Sequence, residues 1–126
     1  MTGQVLGLGL DLVDIDRFGA VLARRSGLSE RLFTPEERAL VADMVNPTPT
    51  LAGRFAVKEA TMKALGVGMG AIDWADVTTL RLDGGAPSLS VTGRAAQLAV
   101  ERGITSWQVS ISHTDTMAAA VVLALS

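Results

Sequence analysis

The chain opens on strict alternation. In "QVLGLGLDLV", Leu6, Leu8 and Leu10 fall on one side and Val5, Gly7, Gly9 and Asp11 on the other, the two-residue period of a strand. A glycine-lined side admits a second backbone or a ligand, and Asp11 stands at its end. From Asp14 to Arg25 the period lengthens, with Ile15, Phe18, Val21 and Leu22 at helical spacing and Gly27 as the stop. "FTPEERALV" carries a helix start signal: Thr34 as N-cap, Pro35 at the first position and Glu37 three residues after the cap. The prolines of "NPTPT" break the chain before a further helix, "LAGRFAVKEATMKALGVG", which its glycines close. "DVTTLRLDGGAPSLSVTG" then reads as two strands joined by a Gly-Gly turn, and "GRAAQLAVERG" as a helix stopped by Gly103. "SWQVSISH" and "TMAAAVVLAL" form a hairpin turning at "HTDT". Strands at the beginning, middle and end with helices between them predict an α+β fold, a largely antiparallel sheet packed with helices. At 126 residues the expectation is one domain over 1–126.

The helix over residues 51 to 65 departs from simple amphipathicity. At about 100° per residue, Glu59 and Lys63 point in nearly one direction, while Arg54, Lys58 and Thr61 form a second polar strip well over 100° away. Glu59 and Lys63 have two readings: an i, i+4 surface pair worth a few tenths of a kcal/mol, or one strip of a central helix that faces an anionic ligand and its metal.

Composition narrows the field. With 48% hydrophobic and 19% charged residues, the chain is built to fold rather than to remain a solvated tail. The formal charge is −2, and up to Lys63 the basic and acidic residues balance at eight each, so no region is basic enough to make nucleic acid the expected partner. The absence of cysteine excludes disulfides and thiolate metal sites and points to a reducing compartment. The N-terminus has no basic start and reaches Asp11 too soon for a signal peptide, and "MAAAVVLAL" is too short to span a bilayer. The expected location is the cytoplasm, with no membrane partner.

Several residues invite chemistry. Asp11 alone reads as a turn former or N-cap, but paired with Glu59 it offers two hard oxygen ligands, which suits a divalent cation that keeps water and bridges to phosphate. His113, the only histidine, ends a strand on the side shared by Val109 and Ile111. It is either a hydrogen-bonded residue at the edge of the core or, with Ser112, Thr114, Asp115 and Thr116, part of a ligand-binding tip. A triad of Ser112, His113 and Asp115 fails on geometry, because adjacent strand residues point to opposite faces. "GLGLDL" lacks the third glycine and the turn-helix context of a dinucleotide fingerprint. The scattered tryptophans and phenylalanines read as core or interface residues.

Three segments in order, "GLGLDLVDIDRF", "LAGRFAVKEATMKALGVG" and "SISHTDTMAAAVV", resemble the holo-acyl-carrier-protein synthases, the small stand-alone bacterial 4′-phosphopantetheinyl transferases. The resemblance implies Mg²⁺-dependent transfer of the phosphopantetheine arm of coenzyme A to a serine of an apo acyl carrier protein, in fatty-acid or related synthesis. It implies Asp11 and Glu59 as metal ligands, Lys63 against the diphosphate, and Arg54, Lys58, His113 and Thr114 around the rest of coenzyme A. It also implies a homotrimer with sites between subunits, Asp11 and His113 from one chain and Glu59 from its neighbour. Arg17 and Arg24, seven apart on the first helix, take the face that docks the acidic helix of the carrier. The proton of the attacking serine goes to Glu59 or to water on the metal. One departure is Met62, where relatives often carry a small hydroxyl residue; the expectation is an altered contact with coenzyme A. The competing reading is a non-catalytic oligomer that binds coenzyme A or a nucleotide as a sensor or scaffold.

Overall fold

The computed structural model describes residues 3–81 and 84–126. Strand β1 (Val5–Asp14) runs without an intervening loop into helix α1 (Ile15–Arg24), and the Asp14 carboxylate caps that helix by accepting from the Arg17 N–H at 2.9 Å. Helices α2 (Leu28–Leu32) and α3 (Pro35–Val41) follow. The predicted capping box of α3 forms: Thr34 Oγ1 accepts from the Glu37 N–H, and Glu37 Oε1 accepts from the Thr34 N–H. Helix α4 spans Thr48–Leu65. The prolines of "NPTPT" break the chain as expected but also belong to the helix start, Pro47 at its N-cap and Pro49 in its first turn, where a missing N–H costs nothing. Gly66, at φ 74°, closes α4 in the left-handed region.

A 3₁₀ turn (Trp74–Asp76) leads into the hairpin β2 (Val77–Arg81) and β3 (Pro87–Val91). Leu82 and Asp83 of the expected strand and turn lie outside the described residues. Helix α5 (Gly93–Glu101) and the hairpin β4 (Ser106–His113) and β5 (Met117–Leu125) complete the chain. The expected α+β fold takes the form of two antiparallel sheets, three strands in the order β1-β5-β4 and two in β2-β3. Among the described residues no helix is long and apolar enough to cross a membrane.

Helix α4 lies against the three-stranded sheet and forms the centre of the core, with Ala52, Ala56, Val57 and Ala60 fully buried. Its closeness to β1 explains the glycines. A Cβ built on Gly7 would stand 2.0 Å from Ala64 O, and one on Gly9 1.7 Å from Ala60 O, so only glycine lets the strand approach the helix backbone. The leucine side therefore faces outward: Leu6, Leu8, Leu10 and Leu12 are between 41 and 62% exposed. In register beside them on β5 are Leu123, Val121 and Ala119, each half-buried.

Candidate active site

Asp11 stands within β1 rather than at its end, paired with Ala120, and the strand continues three residues to Asp14. The turn-forming and capping role open to Asp11 in the sequence falls to Asp14 instead. This frees the Asp11 carboxylate on the inner side of the strand, where it lines a groove of about 590 Å³ together with Glu59. The groove runs between the end of β1, α1, α2 and α4. Phe18, Phe55 and Trp74 form apolar walls; Phe18 stacks on Phe55 at 5.0 Å, and Phe55 tilts against Trp74 at 5.3 Å.

Lys63 joins Asp11 at one end of the groove. Its Nζ donates to Asp11 Oδ1 at 3.1 Å and to Leu10 O at 2.9 Å, while half its side chain stays open to solvent. The surface-pair reading of Glu59 and Lys63 gives way to a three-residue cluster built across α4 and β1. Partial burial pushes the Glu59 carboxyl above the ordinary carboxylate range; the charge of Asp11 adds to this and Lys63 opposes it. Two neighbouring carboxylates, one of them made costlier to ionise by the other, suit a divalent cation that would neutralise both. Among the described residues no group of three or more metal-binding side chains occurs. Asp11 and Glu59 alone therefore fit a hard cation that takes its remaining oxygens from water and phosphate. Within one chain, Asp11 and Glu59 already line the same groove.

The second strip of α4, with Arg54 and Lys58, points away from this groove. Arg54 is 2% exposed and its Nη1 donates to Thr79 O at 2.8 Å. Lys58 is 1% exposed and its Nζ forms a 2.8 Å ion pair with Glu37, itself buried. Burial pulls the Lys58 ammonium below its ordinary pKa, and Glu37 pulls it part of the way back. Both cations are engaged by the packing of α4 against α3 and β2, and neither lines the groove that holds Asp11 and Glu59. Met62 is also buried, at 4% exposure. Thr61 donates its hydroxyl back to Val57 O within the helix.

His113 and Thr114 are exposed at the β4–β5 turn and do not line the groove. Thr114 Oγ1 accepts from the N–H groups of Thr116 and Met117, so the hydroxyl oxygen shapes the turn. Arg17 lines the groove, whereas Arg24, in the last turn of α1, is exposed away from it. Sequence reasoning missed Arg25 and Arg31, which line the same groove. Arg25 follows Arg24 directly in "ARR", a signal that a wheel centred on Arg17 passes over.

Comparison with known proteins places this arrangement. The 4′-phosphopantetheinyl transferase superfamily matches residues 7–122. The chain is 47% identical to a holo-[acyl-carrier-protein] synthase of Beutenbergia cavernae over 96% of this chain and 98% of that one, and 45% identical to the Streptomyces avermitilis enzyme over 96% and 98%. Among solved structures, the holo-[acyl-carrier-protein] synthase of Neisseria meningitidis superposes with a TM-score of 0.87 at 28% identity, covering 96% of this chain and 98% of that one. The Helicobacter pylori enzyme, solved in complex with coenzyme A, gives 0.78 at 32% identity over 94% and 99%. With Asp11 and Glu59 lining its groove and Lys63 bonded to Asp11, the chain belongs to the 4′-phosphopantetheinyl transferase superfamily, among the holo-[acyl-carrier-protein] synthases.

Proposed function

We propose that residues 1–126 form one transferase domain that moves the 4′-phosphopantetheine arm of coenzyme A onto a serine of an apo acyl carrier protein, with Mg²⁺ and in the cytoplasm. The observation that carries this reading is the convergence of Asp11, Glu59 and Lys63 at one end of an apolar groove. In the reaction the serine oxygen forms a bond to the phosphorus that carries pantetheine. The bond from that phosphorus to the bridging oxygen breaks, and adenosine 3′,5′-bisphosphate leaves with the electron pair. Phosphoryl transfer asks mainly for positioning and charge neutralisation, so no side-chain nucleophile is required. Asp11 and Glu59 would hold the Mg²⁺, which when bound would supply Lewis-acid stabilisation of the phosphate oxygens. Lys63, solvent-accessible and beside both carboxylates, neutralises the diphosphate as it enters. Glu59, a carboxylate at the head of the groove, is the side chain placed to take up the serine proton.

The rim of the groove selects the protein substrate. Arg17, Arg25 and Arg31 flank its apolar walls, a combination that fits an acidic helix of a carrier protein. The exposed leucines of β1, continuous with Val121 and Leu123, support a homotrimer. In that assembly His113 and Thr114 of one subunit complete the coenzyme site of the next. The experiment is mass spectrometry of apo carrier proteins incubated with this protein, coenzyme A and Mg²⁺, with and without chelator. Addition of phosphopantetheine that stops with chelator is expected; coenzyme A binding without transfer would instead make the protein a sensor or scaffold.

A further inference from the structure

Lys58 is adjacent in sequence to Glu59 but turns into the protein. Its ammonium donates to Glu37 Oε1 and Trp74 O, each at 2.8 Å, and to Val77 O, and lies 5.9 Å from the centroid of the Phe33 ring. Three acceptors use all three of its N–H donors. The two carbonyls belong to the 3₁₀ turn and the first residue of β2, so one buried cation ties α3, α4 and that turn together. The turn meets α4 a second time through the Trp74 indole, tilted against Phe55. Trp74 and Phe55 are walls of the groove that Asp11 and Glu59 head. A substitution at Lys58 thus frees the backbone that aims Trp74 without removing any group that faces the groove.

We propose that Lys58 is a positioning residue for the transfer reaction: by clamping the Trp74 and Val77 carbonyls to α4 it fixes Trp74 as a groove wall, and so sets affinity for the carrier protein without touching coenzyme A. This rests on the carrier-docking role of the groove proposed above. Removing one member of a buried ion pair strands the other, so the test uses Lys58→Met with Glu37→Gln, which neutralises both and keeps an oxygen for the Thr34 N–H. In a Trp107→Phe background Trp74 is the only indole, and acrylamide quenching reports its exposure directly. The expected result is a carrier KM raised about tenfold with kcat within about threefold, unchanged affinity for adenosine 3′,5′-bisphosphate, and stronger quenching. Val57→Ala, an equally buried change on α4, lowers stability while leaving carrier KM and quenching as they were. Loss of nucleotide affinity would mean a direct coenzyme contact, and wild-type carrier KM and quenching would leave Lys58 purely structural; either result overturns the proposal. Should the double variant fail to fold, Trp74→Ala decides, since an unchanged carrier KM there removes the wall that Lys58 is said to aim. If the unaltered chain modifies no carrier, it is the transfer reading that fails, before any variant is compared.

Discussion

Replacing Gly9 by alanine tests whether the seam between β1 and α4 holds both the fold and the site. The added Cβ would stand 1.7 Å from Ala60 O and 2.6 Å from the carbonyl carbon, backbone atoms that no rotamer change can move aside. Even the tightest real Cβ contact requires the two elements to separate by ~1.3 Å or more. Overpacking a well-filled core ordinarily costs about 1–3 kcal/mol. Here the clash is with a helix backbone at the centre of the molecule, so the expected loss is at the top of that range, about 3 kcal/mol, out of the 5–15 kcal/mol typical of a domain. Asp11 lies two residues on along the same side of the strand and Glu59 is the residue before Ala60, so the same displacement pulls the two carboxylates apart. A misplacement near 1 Å costs on the order of 100-fold in rate. Urea unfolding monitored by circular dichroism measures the first effect and the transfer assay the second. Gly68→Ala, where a Cβ meets nothing within 4 Å, serves as the control and stays within about 0.5 kcal/mol. A Gly9→Ala protein as stable and as active as the Gly68→Ala protein would refute the reasoning.

Other outcomes follow from the same geometry. Because the folded state raises the Glu59 pKa, it holds that proton more tightly than the unfolded chain; stability therefore rises as pH falls through the folded pKa, above the ordinary carboxylate range. Divalent-cation affinity moves the opposite way over the same window, and Glu59→Gln should flatten the stability profile while lowering cation affinity at least ~10-fold, by calorimetry. Arg17→Glu should raise the KM for the carrier far more than that for coenzyme A, with Arg31→Glu acting in the same direction and Arg24→Glu weaker; equal effects on both substrates would remove the docking role. Leu8→Lys with Leu10→Lys should shift sedimentation from trimer to monomer without unfolding the chain, because both side chains are exposed in the isolated subunit.

The legible parts of the sequence were those governed by neighbours. Thr34, Pro35 and Glu37 define a helix start within four residues, and the β4–β5 hairpin is written in adjacent runs around "HTDT". The two polar strips of α4 were legible too, but not what each one meets. Lys58 pairs with Glu37, 21 residues away, and nothing in its local spacing distinguishes a cation that meets a ligand from one that meets a buried carboxylate. The direction of the leucines was also hidden, since alternation gives two faces without saying which is inside. The glycines settle it, because only their side allows a helix backbone at contact distance. Arg25 and Arg31 escaped for a related reason: they share a groove only once α1 and α2 are folded beside each other.

The direct passage from β1 into α1 has a mechanical consequence. No loop separates the strand that bears Asp11 from the helix that bears Arg17, and the junction is pinned by the Ile15 N–H to Thr116 O bond at 2.9 Å and by the Asp14 cap. On the proposed function, the point where a carrier is gripped and the point where its serine reacts are thus two marks on one stiff ruler. Carriers would then be sorted by the span between their acidic docking surface and their serine, and one residue inserted after Asp14 should change which of them is accepted.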